Sequence, residues 1–173
     1  GVLFHNLKEL TAEDVVASWK RWMNVSNASL EYKPKEGRGV KEVRTVDRHT
    51  VVFEFLSNPG PFINKLSKPR ALFFIYPKAI SEKASDRTLK VEEMIGSGPF
   101  KLTEWKRGES VTMTRFKEYK PDNRYDGPRG YGGNRTAYVD QVVWNIVSES
   151  GAQEAGLRAG RYHVADGVPS EMK

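Results

Sequence analysis

The fold is decided first by residues 11–23, which read TAEDVVASWKRWM. Thr11 is of a type that caps helix N-termini, and an acid three positions later, Asp14, is favoured at the positive end of a helix. The apolar residues that follow recur largely at spacings of three and four: Val15, Val16, Trp19, Trp22 and Met23. We therefore predict an amphipathic helix whose aromatic stripe packs on a larger body.

Two β-hairpins are predicted beyond this helix. Val40–Val46 and Thr50–Leu56 form the first, although the apolar residues of its first strand recur every third position instead of every second. Phe100–Trp105 and Val111–Phe116 form the second, which turns around Gly108. Residues 24–39 are polar and contain Pro and Gly, so we predict a long loop there.

The rest of the chain mixes short helices and strands. Helices are predicted at Phe62–Leu66, Pro77–Ala84 and Ser150–Ala159, and strands at Leu72–Ile75, Gln141–Val147 and Tyr162–Ala165. The strand at 141–147 is almost continuously apolar, so we expect it to be buried on both faces. This order of elements predicts an α/β (mixed α+β) fold.

Composition excludes several kinds of chemistry. The chain of 173 residues is 38% hydrophobic and contains no cysteine, so disulfides, thiolate nucleophiles and cysteine-based zinc sites are ruled out. No apolar run is long enough to span a bilayer. Because the chain begins in a strand-like segment and stops in a turn-like one, we expect an internal piece of a longer protein, with any export signal outside it.

The net charge of +6 allows attraction to anionic partners. Basic residues are interleaved with aromatic ones between Arg115 and Arg135, a pattern found in single-strand binders. A nucleic-acid-binding domain that uses this loop is therefore the alternative function. However, prolines, glycines and acids interrupt the stretch, and the basic residues are spread along the whole chain.

Catalytic and metal-binding patterns are weak in this sequence. The three histidines, His5, His49 and His163, lie in different elements without metal-ligand spacing. Ser97 lies between Gly96 and Gly98, which suggests a hydrolase as a third hypothesis, but a strand follows where a nucleophile elbow needs a helix. We predict no enzyme activity, no metal and no cofactor.

Short segments over nearly the whole chain form a further pattern. They are GVLFH at 1–5, LTAEDVV at 10–16, VD with TVVF at 46–53, IGSGPFKL at 95–102, GG with VDQV at 132–142, and QEAGLRAG at 153–160. In this order they resemble the family 5 extracellular solute-binding proteins, the dipeptide, oligopeptide and nickel-binding group. Two departures stand out: Asn6-Leu7 replaces the usual Asp-Gly, and His163 replaces a common Asp.

The resemblance implies a two-lobed, periplasmic-binding-protein-like fold of type II, peptide-binding group, which closes on its ligand. This chain would be part of one lobe, with the remainder of the protein absent. Residues 1–95 would form the smaller subdomain of the first lobe, and residues 96–173 would form part of its main sheet subdomain. The protein would be the substrate-binding component of an ABC importer.

The resemblance also implies partners, a location and site residues. A monomer would capture a peptide or similar small solute, without binding nucleic acid, and deliver it to a membrane permease. It would be periplasmic or extracellular, with lipid anchoring an open alternative. Arg70 would hold a ligand carboxylate, unless it is an ordinary surface arginine. Tyr32 would lie over the ligand, unless it is an exposed loop tyrosine.

Overall fold

The computed structural model describes residues 1–66, 72–129 and 132–165. Within them, the helices are α1 (Ala12–Val25), α2 (Phe62–Leu66), α3 (Lys78–Lys83) and α4 (Ser150–Arg158), with short 3-10 helices at Asn27–Glu31 and Val91–Glu93. The strands are β1 (Val40–Thr45), β2 (Val51–Phe55), β3 (Phe100–Lys106), β4 (Ser110–Arg115), β5 (Pro128–Arg129), β6 (Gly132–Gly133) and β7 (Gln141–Asn145). The predicted mixed α/β class is confirmed.

The chain divides into two compact units. The first contains Gly1–Lys101 and Arg115–Asp140, and the second contains Leu102–Thr114 and Gln141–Lys173. The predicted boundary between residues 95 and 96 concerns subdomains of the longer protein and stays a prediction.

Helix α1 begins where the sequence predicts. Oδ2 of Asp14 accepts hydrogen bonds from the Thr11 amide at 2.7 Å and from the Thr11 hydroxyl at 2.8 Å. The aromatic stripe is buried as expected, since Trp19 is 5% and Trp22 is 7% exposed. The two tryptophans belong to a cluster that we call the aromatic core: Trp19, Trp22, Tyr32, Val40 and Phe62.

The first predicted hairpin is confirmed, and its irregular spacing has a structural cause. Strands β1 and β2 pair antiparallel, with Val43 opposite Phe53 and Val40 opposite Phe55. The register shifts between Val40 and Glu42, as at a β-bulge. One extra residue lets side chains three positions apart face the same side, so both Val40 and Val43 pack in or against the aromatic core.

Helix α3 is joined to α1 by buried polar groups. The Ser18 hydroxyl, 2% exposed, accepts a hydrogen bond from the Tyr76 amide at 2.9 Å and lies 3.2 Å from the Ser81 hydroxyl. Arg21 donates to the carbonyls of Ala84 at 2.9 Å and Arg87 at 2.8 Å. These bonds satisfy polar groups that would otherwise be buried without partners, and they fix α3 against α1.

The second hairpin, also predicted, belongs to a three-stranded sheet with the order β3-β4-β7. Strand β7 pairs antiparallel with β4, with Val143 opposite Thr112. The expectation that this strand is buried on both faces is wrong for this chain, because Val143 is 47% and Trp144 is 59% exposed. Burial of a strand depends on what covers its sheet, and the described residues supply no such cover here.

Two further predicted strands are wrong. Residues 72–75 form no strand. Phe73 packs against the aromatic core, and the next backbone partner of this segment is the Ser18 side chain at Tyr76. Residues 162–165 also form no strand, because the Tyr162 amide turns back to the Gly156 carbonyl of α4 at 3.2 Å. An apolar run alone does not distinguish a strand from a packed irregular segment.

Candidate ligand-binding region

Tyr32 lies in the aromatic core and not on an exposed loop. It is 5% exposed, and its ring centroid is 5.5 Å from that of Trp22 and 5.7 Å from that of Phe62. The alternative interpretation as an exposed loop tyrosine is therefore wrong. The prediction that Tyr32 touches ligand has no direct test here and stays a prediction.

The backbone around Tyr32 explains its position. The 3-10 helix Asn27–Glu31 folds back on α1, because the buried Ser29 hydroxyl donates to the Ser26 carbonyl at 2.6 Å. The Val40 amide donates to the Tyr32 carbonyl at 2.9 Å, so β1 starts beside it. Gly39 closes the intervening loop at φ +103, where a Cβ would lie 2.5 Å from the Lys33 carbonyl oxygen. The predicted loop at 24–39 is thus a fixed turn that inserts Tyr32 into the core.

The Tyr32 hydroxyl is a buried polar group within the aromatic core. Its oxygen is buried and forms no hydrogen bond with any described residue. Burial raises the pKa of the hydroxyl, and the neighbouring Glu31 carboxylate, although outside hydrogen-bonding geometry, adds to the rise. A neutral hydroxyl without a partner costs about 1–3 kcal/mol when buried. A group from a ligand or from the rest of a longer protein could supply that partner.

Arg70, the other predicted ligand residue, lies outside the described residues. The described segments on either side of it are α2, which buries Phe62, and the stretch that begins at Leu72. Phe73 contributes to the core through its contact with Trp19, at a centroid distance of 5.5 Å. The prediction for Arg70 is therefore not tested by the geometry.

His5 has a role that its place in the sequence did not reveal. Its Nδ1 accepts a hydrogen bond from the Gly96 amide at 3.3 Å, and its Nε2 lies 3.1 Å from the Gly98 carbonyl oxygen. Both ring nitrogens are therefore hydrogen-bonded to backbone groups of the same turn. The close approach of the ring to Gly96, whose added Cβ would be 3.4 Å from Cε1, is a signal that no single-sequence pattern displays.

This arrangement bears on the hydrolase hypothesis. A serine nucleophile needs a base within hydrogen-bonding reach. The nitrogens of His5 are both engaged by the backbone on either side of Ser97, and His49 is bound instead to Glu9 at 3.2 Å. The geometry therefore engages both His5 and His49 in other contacts and offers neither of them to Ser97 as a base.

An open groove of about 650 Å³ lies in the first unit between α1, β1 and α3. Its charged lining is mixed in sign, and part of it is engaged within the protein, since Lys78 contacts Glu13 at 3.3 Å and Arg21 donates to backbone carbonyls. Ligand sites are usually enclosed and mostly apolar with a few convergent polar groups. This groove is open and many of its lining residues are charged, so it lacks the features of a small-ligand site.

The loop between Arg115 and Arg135 also contains paired charges. Arg115 forms an ion pair with Asp140, and Arg124 contacts Asp122 at 2.7 Å. Part of the positive charge that suggested nucleic-acid binding is therefore neutralised within the protein. Residues 130 and 131 of this loop lie outside the described residues.

Two kinds of feature are missing from the described residues. No group of three or more His, Cys, Asp or Glu side chains is placed there to hold a metal ion. Among the described residues, no helix is both long enough and apolar enough to cross a bilayer.

The comparisons with known proteins agree with the sequence pattern. The family described as "Bacterial extracellular solute-binding proteins, family 5 Middle" matches residues 1–173. The oligopeptide-binding protein AppA of Bacillus subtilis is 30% identical over 168 residues, which are 92% of this chain and 27% of that protein. The dipeptide-binding protein of Escherichia coli is 28% identical, covering 95% of this chain and 31% of its own length.

Comparison with solved structures supports the same family. The structure of Bacillus subtilis AppA in complex with a nonapeptide matches with a TM-score of 0.65 and 27% identity, over 93% of this chain and 29% of that one. The chain spans less than a third of the length of these relatives. The recognised resemblance and the expected partial lobe are thus both confirmed. The chain belongs to the bacterial extracellular solute-binding proteins of family 5 and forms part of one lobe of their fold.

Proposed function

We propose that this chain belongs to the substrate-binding component of an ABC importer, which captures a peptide or similar small solute outside the cytoplasmic membrane and delivers it to the permease. The observation that carries the proposal is the family match over the whole chain, together with relatives named for peptide binding. The protein acts as a monomer and is periplasmic or extracellular, free or lipid-anchored.

Ligand capture in this proposal makes and breaks no covalent bond. The geometry of Ser97 and His5 supports this, since the ring nitrogens are held by backbone groups. Incubating the full-length protein with the peptides that it binds, followed by mass spectrometry, tests the point. Peptides should be recovered intact, and steady cleavage that persists in purified protein would contradict passive binding.

The site proposal keeps Tyr32 and Arg70 as ligand contacts. The Tyr32 hydroxyl supports its part, because its oxygen is buried and forms no hydrogen bond with the residues that the structure describes. A ligand that donates to or accepts from this oxygen recovers the cost of its burial. For Arg70 the support is the family resemblance and the capacity of a guanidinium to hold a carboxylate with two hydrogen bonds.

Isothermal titration of the full-length protein against a peptide panel tests the function. We expect tight binding of at least one peptide, about tenfold weaker binding in Tyr32→Phe, and a larger loss in Arg70→Met. The isolated chain should bind very weakly or not at all, because half of a cleft loses the enclosure that small-ligand sites need. Tight binding by the isolated chain would refute the two-lobed clamp.

The nucleic-acid alternative makes a separate prediction. Binding through the Arg115–Arg135 loop would weaken steeply as salt rises, because phosphate contacts release counterions. We expect no such salt-dependent DNA or RNA binding by the full-length protein. The internal ion pairs of Arg115 and Arg124 favour this expectation.

A further inference from the structure

The turn at residues 96–99 is held by one imidazole from the start of the chain. The His5 backbone amide donates to the Gly96 carbonyl at 2.8 Å, and the ring then spans from the Gly96 amide to the Gly98 carbonyl. The ring edge also packs on Phe116, with a centroid distance of 5.1 Å and an interplanar angle of 70°. Phe116 in turn donates its amide to the Pro99 carbonyl at 2.8 Å.

Only one protonation state satisfies both contacts. A neutral ring with its proton on Nε2 donates to Gly98 and accepts from Gly96 through Nδ1. A protonated imidazolium has two N–H donors and no acceptor. Protonation therefore removes the partner of the Gly96 amide and turns two donors toward each other.

We propose that His5 is a pH-sensitive latch, which as a neutral imidazole fastens the Gly96–Pro99 turn and on protonation releases it. This turn leads directly into β3, where the chain passes from the first unit into the second. The latch therefore acts on the segment that precedes this crossing. The family assignment and the proposed ligand contacts do not depend on this latch.

The charges around His5 favour the neutral ring. The groups that contact its ring, which are the backbone of Gly96 and Gly98 and the ring of Phe116, carry no charge, and Lys101 is the cation that acts on it from β3. On its own turn, Glu9 is engaged by Arg48 at 2.5 Å and by His49 at 3.2 Å. Burial lowers the pKa of His5 below its ordinary 6.5, the Gly98 carbonyl opposes this, and the Lys101 ammonium adds to the lowering.

The lowered pKa of His5 determines how its contribution to stability changes with pH. Since the pKa in the folded state is below the unfolded value of 6.5, the stabilisation by His5 is present above pH 6.5. It is lost as the pH falls from 6.5 through the folded pKa. The stabilisation is therefore fully present near pH 7.5, and pH 5 lies on the side of 6.5 where it is being lost.

The first experiment is an NMR titration of the full-length protein labelled with 13C at histidine Cε1. The His5 resonance is assigned by its disappearance in His5→Gln. We expect it to titrate below pH 6.5 and to move toward higher pH in Lys101→Met, which removes the ammonium while keeping much of the side-chain volume. Titration at or above pH 6.5 in the unaltered protein would overturn the proposal, and this readout remains valid if His5→Gln folds poorly.

The second experiment compares melting temperatures. His5→Gln should melt several degrees below the unaltered protein near pH 7.5, and the gap should narrow markedly near pH 5. His49→Gln, whose side chain is 59% exposed, is the matched control and should show a small gap that does not follow this pattern. If the difference in melting temperature between His5→Gln and the unaltered protein is the same at both pH values, the latch proposal is refuted. This holds even if the His5 resonance titrates below pH 6.5.

Discussion

The carboxylate of Asp14 joins the starts of two helices. Its Oδ1 lies 2.7 Å from the backbone nitrogen of Lys78, the first residue of α3, while Oδ2 caps α1 through Thr11. Pro77, which precedes α3, offers no side-chain cap of its own. One buried acid, 8% exposed, thus satisfies amides that both helix ends leave without intrahelical partners.

Replacing this acid should destabilise the first unit. Asp14→Ala leaves the amides of Thr11 and Lys78 without their acceptor, and we expect a loss of about 2 kcal/mol in the free energy of unfolding, measured by urea denaturation. Glu13→Ala is the control, because this neighbour is 64% exposed and contacts the exposed ammonium of Lys78 at 3.3 Å. It should cost less than about 0.5 kcal/mol. Equal losses in the two variants would refute the double cap.

The aromatic core should depend on Trp19 more than on any exposed tryptophan. Its ring centroid lies between 5.2 and 6.1 Å from those of five other aromatic residues: Trp22, Tyr32, Phe53, Phe62 and Phe73. Trp19→Ala should cost about 3–5 kcal/mol, which can unfold a marginal domain. Trp105→Ala, at a residue 37% exposed and stacked on Arg107, should cost about 1 kcal/mol or less. Thermal unfolding followed by circular dichroism measures both.

The Glu93 carboxylate predicts an acid limit to stability. Two hydrogen bonds from Arg87, at 2.7 and 2.8 Å, and one from the Lys90 amide lower the pKa of Glu93 from 4.5 to about 2. The stabilisation is fully present above pH 4.5 and is lost as the pH falls toward 2.

A pH series of melting temperatures tests this. Glu93→Gln should melt well below the unaltered protein at neutral pH, and the gap should shrink as the pH falls below 4.5. The adjacent Glu92, which is exposed, gives the control variant Glu92→Gln. If the Glu92 variant shows the same pH-dependent gap, the ion pair with Arg87 is not the cause.

Leu7 should be replaceable with a gain in stability. It is the non-glycine residue with positive φ among the described residues, at +67°, and its side chain is 60% exposed. The family pattern has glycine at this position, and the left-handed conformation costs about 1–2 kcal/mol for other residues. Leu7→Gly should therefore raise the free energy of unfolding by about 0.5–1 kcal/mol, after the added freedom of the unfolded chain is subtracted. Lys8→Gly is the control and should give no gain, and a less stable Leu7→Gly variant would show that the side chain itself is needed.

The exposed apolar side chains on both faces of β7 should be covered in the full-length protein. Val143 and Trp144 expose apolar surface of a kind that folded proteins usually bury, and the chain spans less than a third of its relatives. Because the chain has no cysteine, Val143→Cys introduces a single thiol into it. We expect rapid maleimide labelling in the isolated chain and at least about tenfold slower labelling in the full-length protein. Lys35→Cys, on an exposed loop, should label at similar rates in both, and fast labelling of position 143 in the full-length protein would contradict the cover.

The sequence by itself determined the local elements and the family. Helix α1, both hairpins and α4 follow from periodicity, capping and turn residues, which act over a few positions along the chain. The strands predicted at 72–75 and 162–165 are wrong, because contacts with α1 or α4 decided their backbone. The loop predicted at 24–39 contains a 3-10 helix at Asn27–Glu31 that the sequence did not indicate. The prediction that Arg70 contacts ligand rests on the family resemblance alone, since that residue lies outside the described ones.

Tertiary structure decided what touches what across long sequence separations. Only the fold brings His5 to Gly96, Asp14 to Lys78, and Tyr32 into the aromatic core. It also decided that β7 is exposed in this chain, since burial of a sheet face depends on other segments. The physical reason is that backbone preferences are set by neighbouring residues, whereas burial and hydrogen-bond partners are set by elements that meet only when the chain has folded.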